Sequence, residues 1–190
     1  MLHIYSDGAT LPTNPGPSAY GYVILREDHE TILHEGFGMW QHSTNQRAEL
    51  CAIVSAFEWL IKRQFHPQLI TLYSDSQYAI KCLSEWWPKW ERNGWQRRAK
   101  GKNEPVKNLD LIQRGVQAQK IVKVRFEWVR GHSGVRWNEY VDQMVNAAAG
   151  LALDEGEIDG GYNVGTVGTV GTAAIEQRDY ERARLASLFD

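Results

Sequence analysis

At 190 residues, with 43% hydrophobic and 23% charged residues and a formal net charge of −2, the chain has the composition of one globular domain, or one domain with a tail. No apolar run approaches the roughly 20 residues a membrane helix needs, so no membrane role is expected. The opening Met1-Leu2-His3-Ile4-Tyr5 runs straight into a strand pattern and leaves no room for a signal or transit segment. Cys51 and Cys82 lie in helical patterns beside apolar residues and read as buried free thiols in a reducing compartment, which makes the cytoplasm the expected location.

The net charge conceals an asymmetry. Residues 151–190 carry eight acids against three arginines, which leaves residues 1–150 at +3. Within them, residues 89–107 hold seven bases against Glu91 and Glu104. A positive patch on a weakly charged body suits a polyanionic partner.

In chain order, residues 2–9 read as a strand that ends at Asp7-Gly8. A turn follows, marked by Pro12 and Asn14-Pro15-Gly16-Pro17. Residues 20–27 and 31–40 read as two further strands of an antiparallel meander. Ser43 or Thr44 caps a helix through about Lys62, in which Leu50, Ile53, Val54, Phe57 and Leu60 recur at helical spacing. Residues 69–73 form a short apolar strand, read as buried and parallel, with Asp75 just past its end. Ser76 caps a helix that Pro88 should limit, and residues 88–105 read as a basic, Trp-bearing loop. Residues 106–119 are helical and 121–130 alternate as a strand. Gly131-His132-Ser133-Gly134 then leads into a helix from about Trp137 to Leu151. The order predicts an α/β fold: a mixed five-stranded sheet, three antiparallel strands then two parallel, flanked by helices. Val164–Thr172 is three copies of Val-Gly-Thr and reads as a flexible linker, before a segment of helical spacing with Ile175, Leu185, Leu188 and Phe189.

Four acids stand in distinctive settings: Asp7 in Ser-Asp-Gly, Glu49 in Asn-Gln-Arg-Ala-Glu-Leu, Asp75 in Ser-Asp-Ser-Gln, and Asp142 in Asn-Glu-Tyr-Val-Asp. Asp7 and Asp75 fall at the ends of expected neighbouring strands, where open α/β sheets bind ligands. Four carboxylates in one small volume cannot all stay ionised without a positive partner. Hard divalent cations, Mg²⁺ or Mn²⁺, satisfy such an oxygen-only set, and the pattern points to metal-assisted phosphoryl transfer.

Asp7-Gly8, Asn45-x-Arg47-x-Glu49-Leu50, Ser74-Asp75-Ser76-Gln77-Tyr78, Gly131-His132-Ser133-Gly134 and Asn138-Glu139-x-x-Asp142 occur in one order at sensible spacing. Together they resemble type 1 ribonuclease H across roughly residues 2–150. The resemblance implies a ribonuclease H-like fold over a 1–150 catalytic domain, with a basic protrusion at about 86–107 and an acidic tail at 151–190. It implies two Mg²⁺ ions, replaceable by Mn²⁺, on Asp7, Glu49, Asp75 and Asp142. The implied reaction is hydrolysis of the RNA strand of RNA–DNA hybrids, leaving 5′-phosphate and 3′-hydroxyl ends. His132 matches a proton-shuttling or product-releasing histidine. Glu139 is either a second hydrogen-bonding layer or a first-turn acid that favours the helix dipole.

By the same resemblance, Asn14, Asn45 and Gln77 contact the hybrid's minor groove, where amides can both donate and accept. Thr44 and Arg47 match positions near a DNA phosphate. The stretch Thr10-Leu11 departs from relatives that place a cysteine nearby. Trp86, Trp90 and Trp95, with Arg97, Arg98 and Lys100, match the protrusion, whose bases supply salt-dependent phosphate affinity. The spacing of Trp86 and Trp90 predicts that at least one is core, and Trp87 and Trp95 stand out as contact candidates. A monomer is implied, and the tail is a candidate docking segment for a replication or repair partner. Two other classes remain open at this point: a resolvase-like nuclease on the same fold, and a non-catalytic hybrid-binding module. The first would not predict the Gly-His-Ser-Gly loop, and the intact acids argue against the second.

Overall fold

The computed structural model describes residues 1–65, 69–99, 101–154 and 163–166. A sheet of order β7-β4-β1-β2-β3-β8 forms the centre. β1 (Leu2–Thr10), β2 (Gly16–Leu25) and β3 (Ile32–Ser43) make the antiparallel meander, while β4 (Ile70–Ser74) and β7 (Val124–Trp128) add in parallel beside β1. The five strands of the sequence reading are all present. A sixth, β8 (Asn163–Thr166), pairs antiparallel with β3. It uses the first residues of the segment read as a linker, so the outer edge of β3 is paired along Gly36–Met39. The remaining tail, including the expected terminal helix, lies outside the described residues.

Strand alternation divides the core in two. Ile4, Tyr20, Tyr22 and Ile24 point to the face covered by α1 (Asn45–Lys62), together with Leu50, Ile53, Val54 and Phe57. Tyr5, Ala19, Val23 and Leu25 point to the other face, where α5 (Arg136–Asp154) lays down Val141, Val145, Ala148 and Ala149. Each face thus buries the period-2 set of the strands against the 3.6-period stripe of a helix. α4 (Leu109–Gln119) packs on α1 through Leu111, Ile112 and Val116. Cys51 and Cys82 are buried and free.

Two glycines set the helix positions. A Cβ on Gly8 would overlap the Glu49 nitrogen and stand 2.6 Å from the Ala48 carbonyl carbon, so the α1 backbone rests directly on β1. A Cβ on Gly21 would meet Val145 Cγ1 at 2.8 Å, which fixes the close seat of α5 on β2.

The segment after β4 departs from the expected helix and loop. α2 (Gln77–Lys81) passes through a π-helical turn at Cys82–Trp86 into α3 (Trp87–Arg92). Pro88 does not end the helix. The wide turn comes just before it, so the missing donor falls in the first turn of α3, where no intrahelical partner is required. The basic region that follows is a two-stranded hairpin, β5 (Gln96–Ala99) and β6 (Lys102–Pro105), turning at Gly101 with φ +80°. Among the described residues, no helix is long and apolar enough to cross a membrane.

Gly8→Ala should lower stability by about 1–3 kcal/mol in denaturant unfolding, because the clash is with helix backbone that cannot rotate away.

Candidate active site

Parallel pairing of β1 with β4 runs from Leu2↔Ile70 to Tyr5↔Tyr73 and stops there, because β4 turns into α2. Tyr5 and Tyr73 stack at 4.5 Å on the α5 face. Asp7 follows Tyr5 on that face, beyond the last parallel rung, and Asp75 follows β4. Asp7 therefore lies inside β1, not at its end as the sequence suggested. It reaches the sheet's rim because its neighbour on that side has left. α5 brings Asp142 over the same face, and α1, seated on Gly8, brings Glu49 from the opposite one.

Each carboxylate has its own donors. The Gly8 N–H donates to Asp7 Oδ1 at 2.7 Å. Glu49 accepts from Asn45 Nδ2 at 2.9 Å on one oxygen and from Ser76 Oγ at 2.6 Å on the other. Ser76 Oγ also accepts from the Ala79 N–H, so a single hydroxyl caps α2 and holds Glu49. Asn138, buried in the first turn of α5, donates to Asp75 Oδ2 at 3.4 Å. Asn146 donates to Asp142 Oδ1 at 3.0 Å, one helical turn on. Among the described residues, no three acidic, histidine or cysteine groups already stand as a coordination cage. Uncompensated carboxylates repel, and these are drawn towards separate donors.

The electrostatic cost falls on the buried members. Asp7 is only 7% exposed. Burial, then the Asp75 carboxylate, push it up to about 8 against the Gly8 hydrogen bond, with Asp142 and Glu49 adding to the rise. Burial pushes Glu49 up to about 7; Ser76 opposes this and Asp75 adds to it. An oxygen-only set with two carboxyls held well above their ordinary range fits hard divalent cations, which would favour the charged forms.

His132 projects from the loop at the mouth of α5 with φ +50° and a side chain 79% exposed. Its Nδ1 is 3.7 Å from Asp142 Oδ2, longer than a hydrogen bond. Glu139 accepts the Gly134 N–H at 2.7 Å and so ties that loop to α5. At Gly131, a Cβ would come within 2.6 Å of Asp75 Oδ2, so the loop lies close over that carboxylate.

The expected substrate residues are sorted by the fold. Asn14 Oδ1 accepts the Asn45 N–H at 3.3 Å, which ties the β1–β2 loop to the start of α1. Gln77 is exposed at the start of α2. Thr44 is the N-cap of α1, accepting from the Arg47 N–H. Arg47 does not point out alone: it forms a two-pronged pair with Asp110 at 3.0 and 2.6 Å. Trp90 and Trp95, with Trp87, pack against the core, while Trp86 is 37% exposed and contacts Tyr78 and Trp90 edge-on or tilted. The helical spacing predicted one core member, and Trp86 is the one left open. Arg97 pairs with Glu104 across the hairpin at 3.4 Å, Arg98 is exposed, and Lys100 lies outside the described residues. The sequence reading did not assign Ser76, Asn138 or Asn146 to the site. Only the i, i+4 spacing of Asp142 and Asn146 offered a local signal for one of them.

A mixed sheet of this order with an acidic rim does not by itself fix an activity, and comparison with known proteins supplies the family. Residues 1–150 match the RNase H family. The Ribonuclease H of Lachnoclostridium phytofermentans is 42% identical over 149 residues, covering 77% of this chain and 90% of the relative. That of Cupriavidus metallidurans is 43% identical over 143 residues, covering 75% and 91%. The solved LC11-RNase H1 in complex with RNA/DNA hybrid has a TM-score of 0.60 at 22% identity, over 80% of this chain and 99% of the other, a likeness of fold. The chain belongs to the RNase H family.

The raised carboxyls fix the sign of a pH effect. Because the folded protein keeps protons on Asp7 and Glu49 that the unfolded chain has released, these groups cost stability as pH rises from about 4 to 8. In chelator, Asp7→Asn should therefore be more stable than the parent at pH 8, on the order of 3 kcal/mol, with the gap closing by pH 4. Thermal unfolding across that range measures it.

Proposed function

We propose that the acidic rim hydrolyses the RNA strand of RNA–DNA hybrids with two divalent cations, Mg²⁺ or in its place Mn²⁺, held by Asp7, Glu49, Asp75 and Asp142. The activity itself follows from membership of the family. The observation that carries the metal reading is the convergence of four carboxylates on one rim, with Asp7 pushed up to about 8 by burial and by the neighbouring Asp75 carboxylate. Bound there, the cations supply neutralisation of the phosphate, activation of water and stabilisation of the leaving 3′ oxygen.

The chain's own side chains do the rest. Asn45 and Ser76 hold the two Glu49 oxygens, Asn138 holds Asp75, and Asn146 holds Asp142, so each carboxylate is oriented before substrate arrives. His132, exposed beside Asp142, takes up or returns a proton at its imidazole during turnover. Asn14, Asn45 and Gln77 offer amides to minor-groove hydroxyls and base edges. Trp86, Arg98 and the neighbouring bases of the hairpin bind the backbone. Arg47 reaches a phosphate by giving up part of its pair with Asp110. The enzyme works as a cytoplasmic monomer, and the part of the 151–190 tail outside α5 and β8 offers a docking segment to a protein partner.

The test is cleavage of a short labelled RNA–DNA hybrid with Mg²⁺, run beside RNA–RNA, DNA–DNA and single-stranded RNA. Only the hybrid's RNA should be cut, and Asp75→Asn or chelator should reduce the rate by at least about a thousandfold. A hybrid that binds but is not cut would instead support a non-catalytic module. His132→Ala should lower kcat by about tenfold to a hundredfold with little change in KM.

A further inference from the structure

The parallel sheet ends on an exposed aromatic, Trp128. Trp128 is the last residue of β7 and pairs with Ser74, one residue before Asp75. β7 is an edge strand, and among the described residues no strand covers its outer side. The indole is 50% exposed, yet it is not loose: its Nε1–H donates to the Asp75 carbonyl at 3.0 Å. Single exposed apolar residues are ordinary on protein surfaces. An exposed tryptophan fixed by its only polar atom to the backbone of a rim carboxylate is a different case. Its π-face is held at a set position beside the Asp75 backbone, which removes most of the entropy cost of using it for contact.

We propose that Trp128 is a substrate-contacting residue, packing its exposed ring against the sugar face of the cleaved strand next to the scissile phosphate. This rests on the reading of the acidic rim as the site of hybrid cleavage. The chemistry suits the position: an indole face accepts ribose C–H groups without regard to base identity, while the N–H anchors it away from the strand.

The experiment measures hybrid affinity on an Asp7→Asn background, which binds without cutting, and steady-state kinetics on the active chain. Trp128→Ala should weaken hybrid binding about threefold to tenfold and raise KM equally, with kcat within about twofold. Trp128→Phe, which keeps a ring face but loses the N–H anchor, should fall between the parent and the alanine variant in Kd. Trp128→Leu serves as the ring-free variant if the alanine protein does not fold. Unchanged affinity in the ring-free variant overturns the proposal. So does an equal loss in Trp128→Phe, or a fall in kcat at constant KM, since either would make the indole a prop for Asp75 rather than a contact. A parent chain that fails to cut hybrid would sink the underlying reading instead, which keeps the two failures distinct.

Discussion

Burial of one carboxylate, Asp7, in the company of three others is the constraint on which this structure turns. A group this enclosed, beside Asp75, Glu49 and Asp142, cannot ionise near neutral pH as an ordinary aspartate does. The protein keeps the arrangement by giving each carboxylate separate neutral donors, Gly8 N–H, Ser76, Asn45, Asn138 and Asn146. Neutral donors orient the oxygens but do not cancel the charge. A cation bound there, as proposed, would relieve a cost that folding alone leaves in place.

The remainder of the fold serves to place these four groups. β4 stops pairing where α2 begins, which opens the flank of β1 at Asp7. Gly8 lets α1 touch the strand, so that Glu49 reaches the rim from the far face. Gly21 does the same for α5 and Asp142 on the near face. The Gly131–Gly134 loop, tied back by Glu139, lays a glycine against Asp75 where any side chain would intrude. Packing at these contacts is geometry for the site as much as stability for the fold.

Much of this was legible because it is local. The acids announce themselves through neighbours: the Ser-Asp-Gly turn from a strand, the Asn-x-Arg-x-Glu opening of a helix, the Asn-Glu-x-x-Asp spacing on one helical face. The strands and main helices follow from apolar period, and Thr44 from capping chemistry. What escaped was non-local. Pro88 looks like a helix stop, yet the π-helical turn before it absorbs the fault, and no local pattern forecasts such a turn. Trp86, Trp90 and Trp95 are alike in sequence, but only the first is left open. Arg47 resembles a free phosphate-binding cation until Asp110, 63 residues away, is folded beside it. The Val-Gly-Thr run reads as linker, but Asn163–Thr166 finds the open edge of β3, since strand pairing is made by backbone and asks little of side chains.

The sequence by itself determined the local settings of the four acids, the order of elements that bears them, and a basic segment suited to a polyanion. Those depend on residue type and short-range spacing, which the chain states directly. Only the tertiary structure decided which carboxylate is buried deepest, which donors hold each oxygen, which tryptophan faces solvent and which arginine is already paired. Burial and Coulomb energy depend on what lies within a few ångströms, and here those neighbours come from β1, α1, α2 and α5, elements far apart along the chain.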